Sequence, residues 1–320
     1  MTERTVIARA PTRLDLGGGW TDVPPYCEVE GGFVCNIAIN RYVVATVSAA
    51  VEVRAAGDRD ASLVGHSPLV LAALRRSGVT DVEIDLDSDF PVAAGLGGSS
   101  AASAAVLGAL ATWRGTAVDR RAIAEEGRRI EVEEMGINGG TQDHFAAAYG
   151  GALALTCGAA VAVQQLELTD SARRAFERRA ILIYSGQSRM SGDNIDAVLN
   201  GWRAGEPGIV RALRGMKAVA TRIPAALEAG DIDQLGGLVA AQWAFQRSLH
   251  PAIPTPLIDE IIARALASGA IGAKALGASG GGCVLVIAGE GRADEIRAEI
   301  APLGTLLPFA IDTEGLTITR

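Results

Sequence analysis

β-Branched residues crowd the first fifty positions of the chain. "RTVIARAPTRLDL" (4–16) and "GGFVCNIAINRYVVATVSAAVEVRAA" (31–56) are strand-like runs set apart by glycine and proline. "DVEIDLD" (81–87) alternates with period two and predicts another strand. The pattern then changes period. Ser99 to Trp113 and Arg120 to Met135 predict helices, the second carrying Glu125, Glu126, Glu131, Glu133 and Glu134 around a thin apolar stripe. "GALALTCGAAVAVQQLEL" (151–168) reads as two strands about a turn, and the charged "TDSARRAFERRA" (169–180) separates the halves.

Beyond it, "ILIYSG" is an apolar strand, and helices are predicted over about 191–204, 208–228, 231–248 and 256–268. "AKALGASGGGCVLVIAG" (273–289) predicts strand, glycine turn and strand. A short helix (292–300) and a closing strand pair finish the chain. This is a mixed α+β pattern in two lobes. The boundary lies between 165 and 180, giving domains of 1–170 and 171–320.

The 320 residues, 49% hydrophobic and 21% charged, describe a globular chain. A net charge of −8 argues against nucleic acid or an anionic membrane as main partner, but leaves room for a small anionic ligand. The longest uncharged run, His144 to Leu166, is broken by Gly150, Gly151 and Gly158, so it reads as strands and not as a membrane span. Cys27, Cys35, Cys157 and Cys283 form no CxxC pair and read as buried, reduced thiols. His66, His144 and His250 are scattered, which argues against a histidine-rich metal site. The N-terminus lacks the apolar core of a signal peptide, and the expected location is cytoplasmic.

Chemistry concentrates in "PVAAGLGGSSAASAAVLGAL" (91–110), where a strand meets a helix. A helix start exposes unpaired N–H groups and partial positive charge, and so can hold phosphate without lysine. Gly95, Leu96, Gly97, Gly98, Ser99, Ser100 and Ala101 are the candidate nucleotide-binding residues, within a loop of 91–103. The spacing fits neither a Walker A loop nor a Rossmann fingerprint. A plain glycine loop with Ser99 as N-cap is the structural alternative.

Two further glycine segments flank it, "APTRLDLGGGWTDVPPY" (10–26) and "KALGASGGGCVLVI" (274–287). In this order the three resemble the motifs of the galactokinase, homoserine kinase, mevalonate kinase and phosphomevalonate kinase superfamily, the GHMP kinases. The middle one is similar to P-x-x-x-G-L-[GS]-S-S-A, with Gly98 where serine is frequent. The first resembles the sugar-kinase branch, with Arg13 and Asp22 nine residues apart. "GGWTDVPPYCEVEGGFVCNIAI" (18–39) leans towards fucokinase, whereas "GGTQDHFAAAYGG" (139–151) leans towards D-glycero-D-manno-heptose 7-phosphate kinase, with His144 in place of a frequent glutamine.

The resemblance implies an N-terminal ribosomal-protein-S5-like lobe and a C-terminal ferredoxin-like lobe. It implies an ATP-dependent kinase, with Mg²⁺, acting on a sugar or sugar phosphate, most readily at the anomeric hydroxyl. Asp143 matches the catalytic aspartate, and Arg13 the basic residue that stabilises transferring charge beside it. Their alternatives are a helix-capping aspartate and a surface arginine. Asp22 would hold sugar hydroxyls, with Gly18, Gly19, Arg189, Gly280 and Gly281 also at the substrate; Asp22 could instead be a turn aspartate. Ser99 and Glu131 match the metal residues, with Glu133 and Glu134 as neighbouring alternatives. Asparagine at 143, nearly isosteric, is expected to lose about 10²–10⁴ in turnover while leaving ATP binding and stability almost unchanged.

Expected partners are ATP and a small sugar, with no nucleic acid or membrane, in a monomer or homodimer. A cyclitol or polyol kinase, and a catalytically silent sugar- and nucleotide-binding regulator, are the other readings.

Overall fold

The computed structural model describes residues 4–50, 67–187 and 192–320. The first lobe opens with β1 (Thr5–Gly17), a short α1 (Tyr26–Glu30) and the long β2 (Gly32–Ala49). There follow α2 (Pro68–Ser77), β3 (Val82–Ser88), α3 (Gly98–Trp113), α4 (Arg120–Arg129) and α5 (Gln142–Tyr149), then β4 (Ala152–Cys157) and β5 (Val161–Leu166). The second lobe holds α6 (Asp170–Arg179), β6 (Ala180–Tyr184), α7 (Gly192–Arg203), α8 (Pro207–Ala220), α9 (Ile223–Ala229), α10 (Ile232–Gln246) and α11 (Pro256–Ala267). It continues with β7 (Ala270–Ala275), β8 (Cys283–Ala288), α12 (Ala293–Ile300) and β9 (Thr305–Leu306), and β10 (Thr317–Thr319) ends the chain.

The first sheet is antiparallel, in the order β10-β1-β2-β4-β5, with β3 also paired to β2. Its central strand serves two neighbours on one side. Residues 32–37 of β2 bond β4 and residues 43–49 bond β3. The second sheet is β7-β8-β6-β9, antiparallel throughout. Helices cross between β6 and β7 and between β8 and β9, so the expected two-lobed α+β fold with a ferredoxin-like second lobe is present.

Burial explains why β1 loses its alternation. From Ala10 onwards every residue of the strand is buried. One face of the sheet carries α3 and α5, and the other meets α8 and α10 of the second lobe. Between the lobes lies a shared apolar core that includes Leu14, Leu16, Ile37, Leu96, Leu276 and Leu285. Fully burying each such side chain contributes roughly 1.5–3 kcal/mol, so the lobes are joined as firmly as a single core.

The structure corrects several boundaries. The helix predicted over 208–228 is two helices, α8 and α9, because Pro224 can sit in a first turn but not in a helix interior. The charged stretch at 169–180 is mostly helix α6, with the Thr169 hydroxyl accepting the Ala172 amide as N-cap. The helix from Arg120 keeps α geometry only to Arg129 and then widens into a π turn over Ile130–Glu134. Helix α2, capped by Ser67 with Pro68 in its first turn, was not anticipated. The closing strands do not pair with each other: β9 joins β6, and β10 returns to β1.

All four cysteines are free and buried. Among the described residues no helix is long and apolar enough to cross a membrane. The strand expected over 51–56, His66 and Arg189 lie outside the described residues.

Candidate active site

Strand β1 places Arg13 and Asp15 on one face, two residues apart. The Arg13 guanidinium donates from Nε to Asp143 Oδ1 (2.7 Å) and from Nη2 to Asp143 Oδ2 (2.8 Å). This is a two-point, charge-assisted pair. Nη1 donates to the Gly95 carbonyl (2.6 Å), and the Arg13 amide to the Leu96 carbonyl (3.0 Å). Arg13 is therefore no surface arginine. Its side chain is 4% exposed while that of Asp143 is 26% exposed, so the carboxylate is the end that faces the cleft. Burial alone would lower the guanidinium's pKa, but the carboxylates of Asp143 and Asp15 outweigh it and hold the pKa above the usual arginine value.

The glycine junction lies directly beside this pair. Gly97 caps α3 in a left-handed conformation (φ 78°), and no side chain caps the helix. Ser99 is thus an exposed residue of the first turn and not the N-cap. A Cβ on Gly97 would come within 3.2 Å of the Asp143 carboxyl, which shows how closely loop and carboxylate approach. Ser100 turns inward and is buried.

The third glycine segment closes over the same loop. Cys283 donates its amide to the Ala94 carbonyl (2.8 Å), and a Cβ on Gly95 would lie 2.8 Å from the Leu276 carbonyl. Gly277, Gly280, Gly281 and Gly282 all have positive φ. Gly280 donates to the Ile253 carbonyl and Gly282 to the Gln187 carbonyl, so this turn is pinned to the loop before α11 and to the segment after β6. Three stretches distant in the chain therefore meet at one place.

In the first motif, Gly18 and Gly19 permit close packing. A side chain on Gly18 would strike the Phe33 carbonyl, and one on Gly19 would approach Asp15 Oδ2 (2.5 Å). Asp22 is buried, and its Oδ2 accepts the amides of Thr141 (2.8 Å) and Gln142 (3.0 Å). It thereby anchors the start of α5, the helix that carries Asp143. Thr141 is the N-cap residue of α5, so Asp143 is not the cap; its oxygens go to Arg13. Burial pushes the Asp22 carboxyl up to about 6, against the opposing effect of the Gln142 amide and with help from the Asp143 and Asp15 charges.

The π turn sorts the glutamates. Glu133 and Glu134 face α2 and pair with Arg76 (2.8 Å) and Arg75 (3.0 Å). Glu131 instead faces α5, where its Oε2 lies 2.7 Å from His144 Nε2. Among the described residues, Glu131 Oε1 takes no hydrogen bond, and no group of three His, Cys, Asp or Glu side chains could hold a metal ion. Magnesium at a phosphate site needs only one or two protein oxygens beside phosphate and water, so an anchored carboxylate and an exposed serine hydroxyl suit it.

Family models decide the affiliation. The model for the GHMP kinases N terminal domain matches residues 63–151, and that for the GHMP kinases C terminal matches 224–302, together just over half of the chain. The chain belongs to the GHMP kinases. As a member of this family it is 26% identical, over 87% of its length and 88% of the relative's, to a D-glycero-alpha-D-manno-heptose 7-phosphate kinase of Campylobacter jejuni. It is also 26% identical to an L-fucokinase/L-fucose-1-P guanylyltransferase of Bacteroides fragilis, spanning all of this chain but 39% of that protein. Its fold matches a D-glycero-D-manno-heptose 1-phosphate kinase structure from Bacteroides thetaiotaomicron with TM-score 0.79 and 22% identity, covering 98% of this chain and 99% of that one.

Two residues of this GHMP kinase site escaped sequence reasoning. Asp15 stands two positions after Arg13 on the same strand face, and period two was the signal for it. Lys274 was visible only as one of two lysines, although a lysine inside an otherwise apolar strand marks a buried charge.

Proposed function

We propose that this GHMP kinase transfers the γ-phosphoryl group of ATP to a hydroxyl of a sugar or sugar phosphate, with the anomeric hydroxyl as acceptor. One observation carries the reading: the two-point Arg13–Asp143 pair abuts Gly97, at the uncapped start of α3. Phosphoryl transfer is mostly positioning and charge stabilisation, and this arrangement supplies both.

The ATP phosphates would lie over residues 95–101, facing the first-turn amides of α3. Ser99 and Glu131 would hold Mg²⁺, which neutralises charge on the phosphate oxygens when bound. Asp143 would orient the acceptor hydroxyl and take its proton, while Arg13 stabilises the charge passing beside it. Asp22 would meet the sugar with the carboxylate oxygen that α5 leaves unused. The similarity to the heptose 7-phosphate kinase and the fucokinase supports a sugar as the acceptor class.

The test is ADP release from ATP–Mg²⁺ across a panel of free sugars, sugar phosphates, cyclitols and polyols, with the product examined by phosphorus NMR. A phosphate coupled to an anomeric proton is the expected result. ATP binding without transfer to any acceptor would make the protein a silent binder, and transfer only to a cyclitol or polyol would overturn the sugar assignment.

A further inference from the structure

Lys274 sits in β7 of the second lobe with its side chain wholly buried. Such an ammonium costs several kcal/mol unless it is well paired. Its Nζ donates to Asp15 Oδ2 (2.7 Å) and to the Asp15 carbonyl (2.9 Å), across the junction between the lobes. Asp15 is 2% exposed, and its Oδ1 has no hydrogen-bond partner among the described residues.

Charges alternate along one row, Lys274, Asp15, Arg13, Asp143, of which the first three are buried. The row begins in the second lobe and ends at the cleft. Asp15 and Asp143 are both close enough to act on the Arg13 guanidinium, yet only Asp143 is hydrogen-bonded to it. A buried carboxylate must find a partner. With Lys274 present, Asp15 has one. Without it, Asp15 must take up a proton or turn to Arg13, the cation two residues along the same strand, whose charge it already feels.

We propose that Lys274 is a positioning residue: by occupying Asp15 it keeps Arg13 committed to Asp143, so that the second lobe sets the catalytic geometry of the first. The inference rests on the phosphoryl-transfer reading. It assigns Lys274 no contact with substrate or nucleotide. A misplacement of about 1 Å at a catalytic group can cost on the order of a hundredfold in rate, which sets the expected scale.

The experiment compares wild type with Lys274→Met, Asp15→Asn and the double variant, each assayed where unfolding curves show the protein fully folded. Lys274→Met should lose about a hundredfold in kcat with little change in the KM for ATP. Removing the competing charge in the Asp15→Asn/Lys274→Met double variant should return kcat to within about threefold of wild type.

A readout free of turnover is the Arg13 Nε–H resonance in nitrogen-15 NMR, assigned by its loss in Arg13→Lys. It should shift in Lys274→Met and move back in the double variant. Where Lys274→Met does not fold, Lys274→Gln keeps two N–H donors without the charge and should lose about tenfold in kcat.

Full kcat in a folded Lys274→Met or Lys274→Gln would overturn the proposal, as would a double variant as slow as the single one. If neither single variant folds, the pair's task is structural and the proposal fails. A wild type that binds ATP–Mg²⁺ but phosphorylates nothing defeats the kinase reading alone, and the NMR shifts then decide the role of Lys274.

Discussion

Replacing Asp143 with asparagine separates two tasks of one carboxylate. On size alone the change looks silent for stability. The geometry says otherwise. Asparagine keeps one acceptor oxygen and turns the other into an N–H₂ group that faces an Arg13 donor, so one of the two bonds at 2.7 and 2.8 Å is lost. A hydrogen bond to a charged group contributes about 1.5–3 kcal/mol. Asp143 is 26% exposed, and Arg13 retains the Gly95 carbonyl, so solvent and the remaining partner reduce the cost to about 1–2 kcal/mol.

Urea unfolding should show that loss as a midpoint lowered by on the order of half a molar. Turnover with the best acceptor should fall by about 10²–10⁴, the usual range for a general base. ATP affinity should hold, because the amides at the start of α3 are untouched. If Asp143→Asn keeps more than about a tenth of wild-type turnover, the catalytic assignment is wrong. An unmoved urea midpoint would mean that the Arg13–Asp143 pair does not stabilise the fold.

Gly97→Ala puts a methyl group 3.2 Å from the Asp143 carboxyl and a side chain at φ 78°, which costs about 1–2 kcal/mol of strain. Stability and turnover should fall together, turnover by tenfold or more, and unchanged kcat would show that loop and carboxylate do not share one site. For Asp22 the sign follows from its pKa of about 6 in the fold against a usual value near 4. The folded state holds this proton more tightly, so stability is lost as pH rises from about 4 to about 6. Two pKa units correspond to about 3 kcal/mol. Asp22→Asn, which can still accept the α5 amides, should lack that loss in urea titrations at pH 4.5 and 7.5. A stability difference from wild type that is the same at both pH values would contradict it.

Much of this arrangement was legible in the residues, for identifiable reasons. The strand-to-helix junction at 91–101 was legible as a helix start, because glycines run straight into small helix-forming residues, but a plain glycine loop reads the same way and only the two flanking motifs favoured a phosphate site. Arg13, Asp143 and the third glycine segment were found through ordered motifs, and the fold brings them together. The glutamates were not separable in sequence, since the π turn that sends Glu131 to His144 and Glu133 to Arg76 leaves no simple periodic trace. Asp22 could be placed at the site, but its bonds to Thr141 and Gln142 depend on a contact 119 residues away in the chain. The Lys274–Asp15 bridge spans 259 residues, and the pairing of β10 with β1 spans most of the chain. Contacts of that range are set by tertiary packing, which local pattern does not encode.

The return of β10 to β1 has a consequence for how the protein is made. Leu316 and Ile318 pack against α3 at Gly108, where a methyl group would come within 2.8 Å of Leu316. Glu314 and Thr317 meanwhile bond Arg9 at the edge of β1. During synthesis the first lobe is finished through β5 while its outer edge still lacks a partner. At ordinary translation speeds the last strand follows on the order of ten to thirty seconds later. Over that interval the nascent chain shows an open strand edge, guarded by the charge of Arg9, which discourages pairing with a neighbouring chain. The helix that begins at the glycine junction gains its final cover only once β10 has been made, so a chain truncated before Leu316 keeps Arg13, Asp143 and Lys274 yet lacks the strand that seals the first lobe.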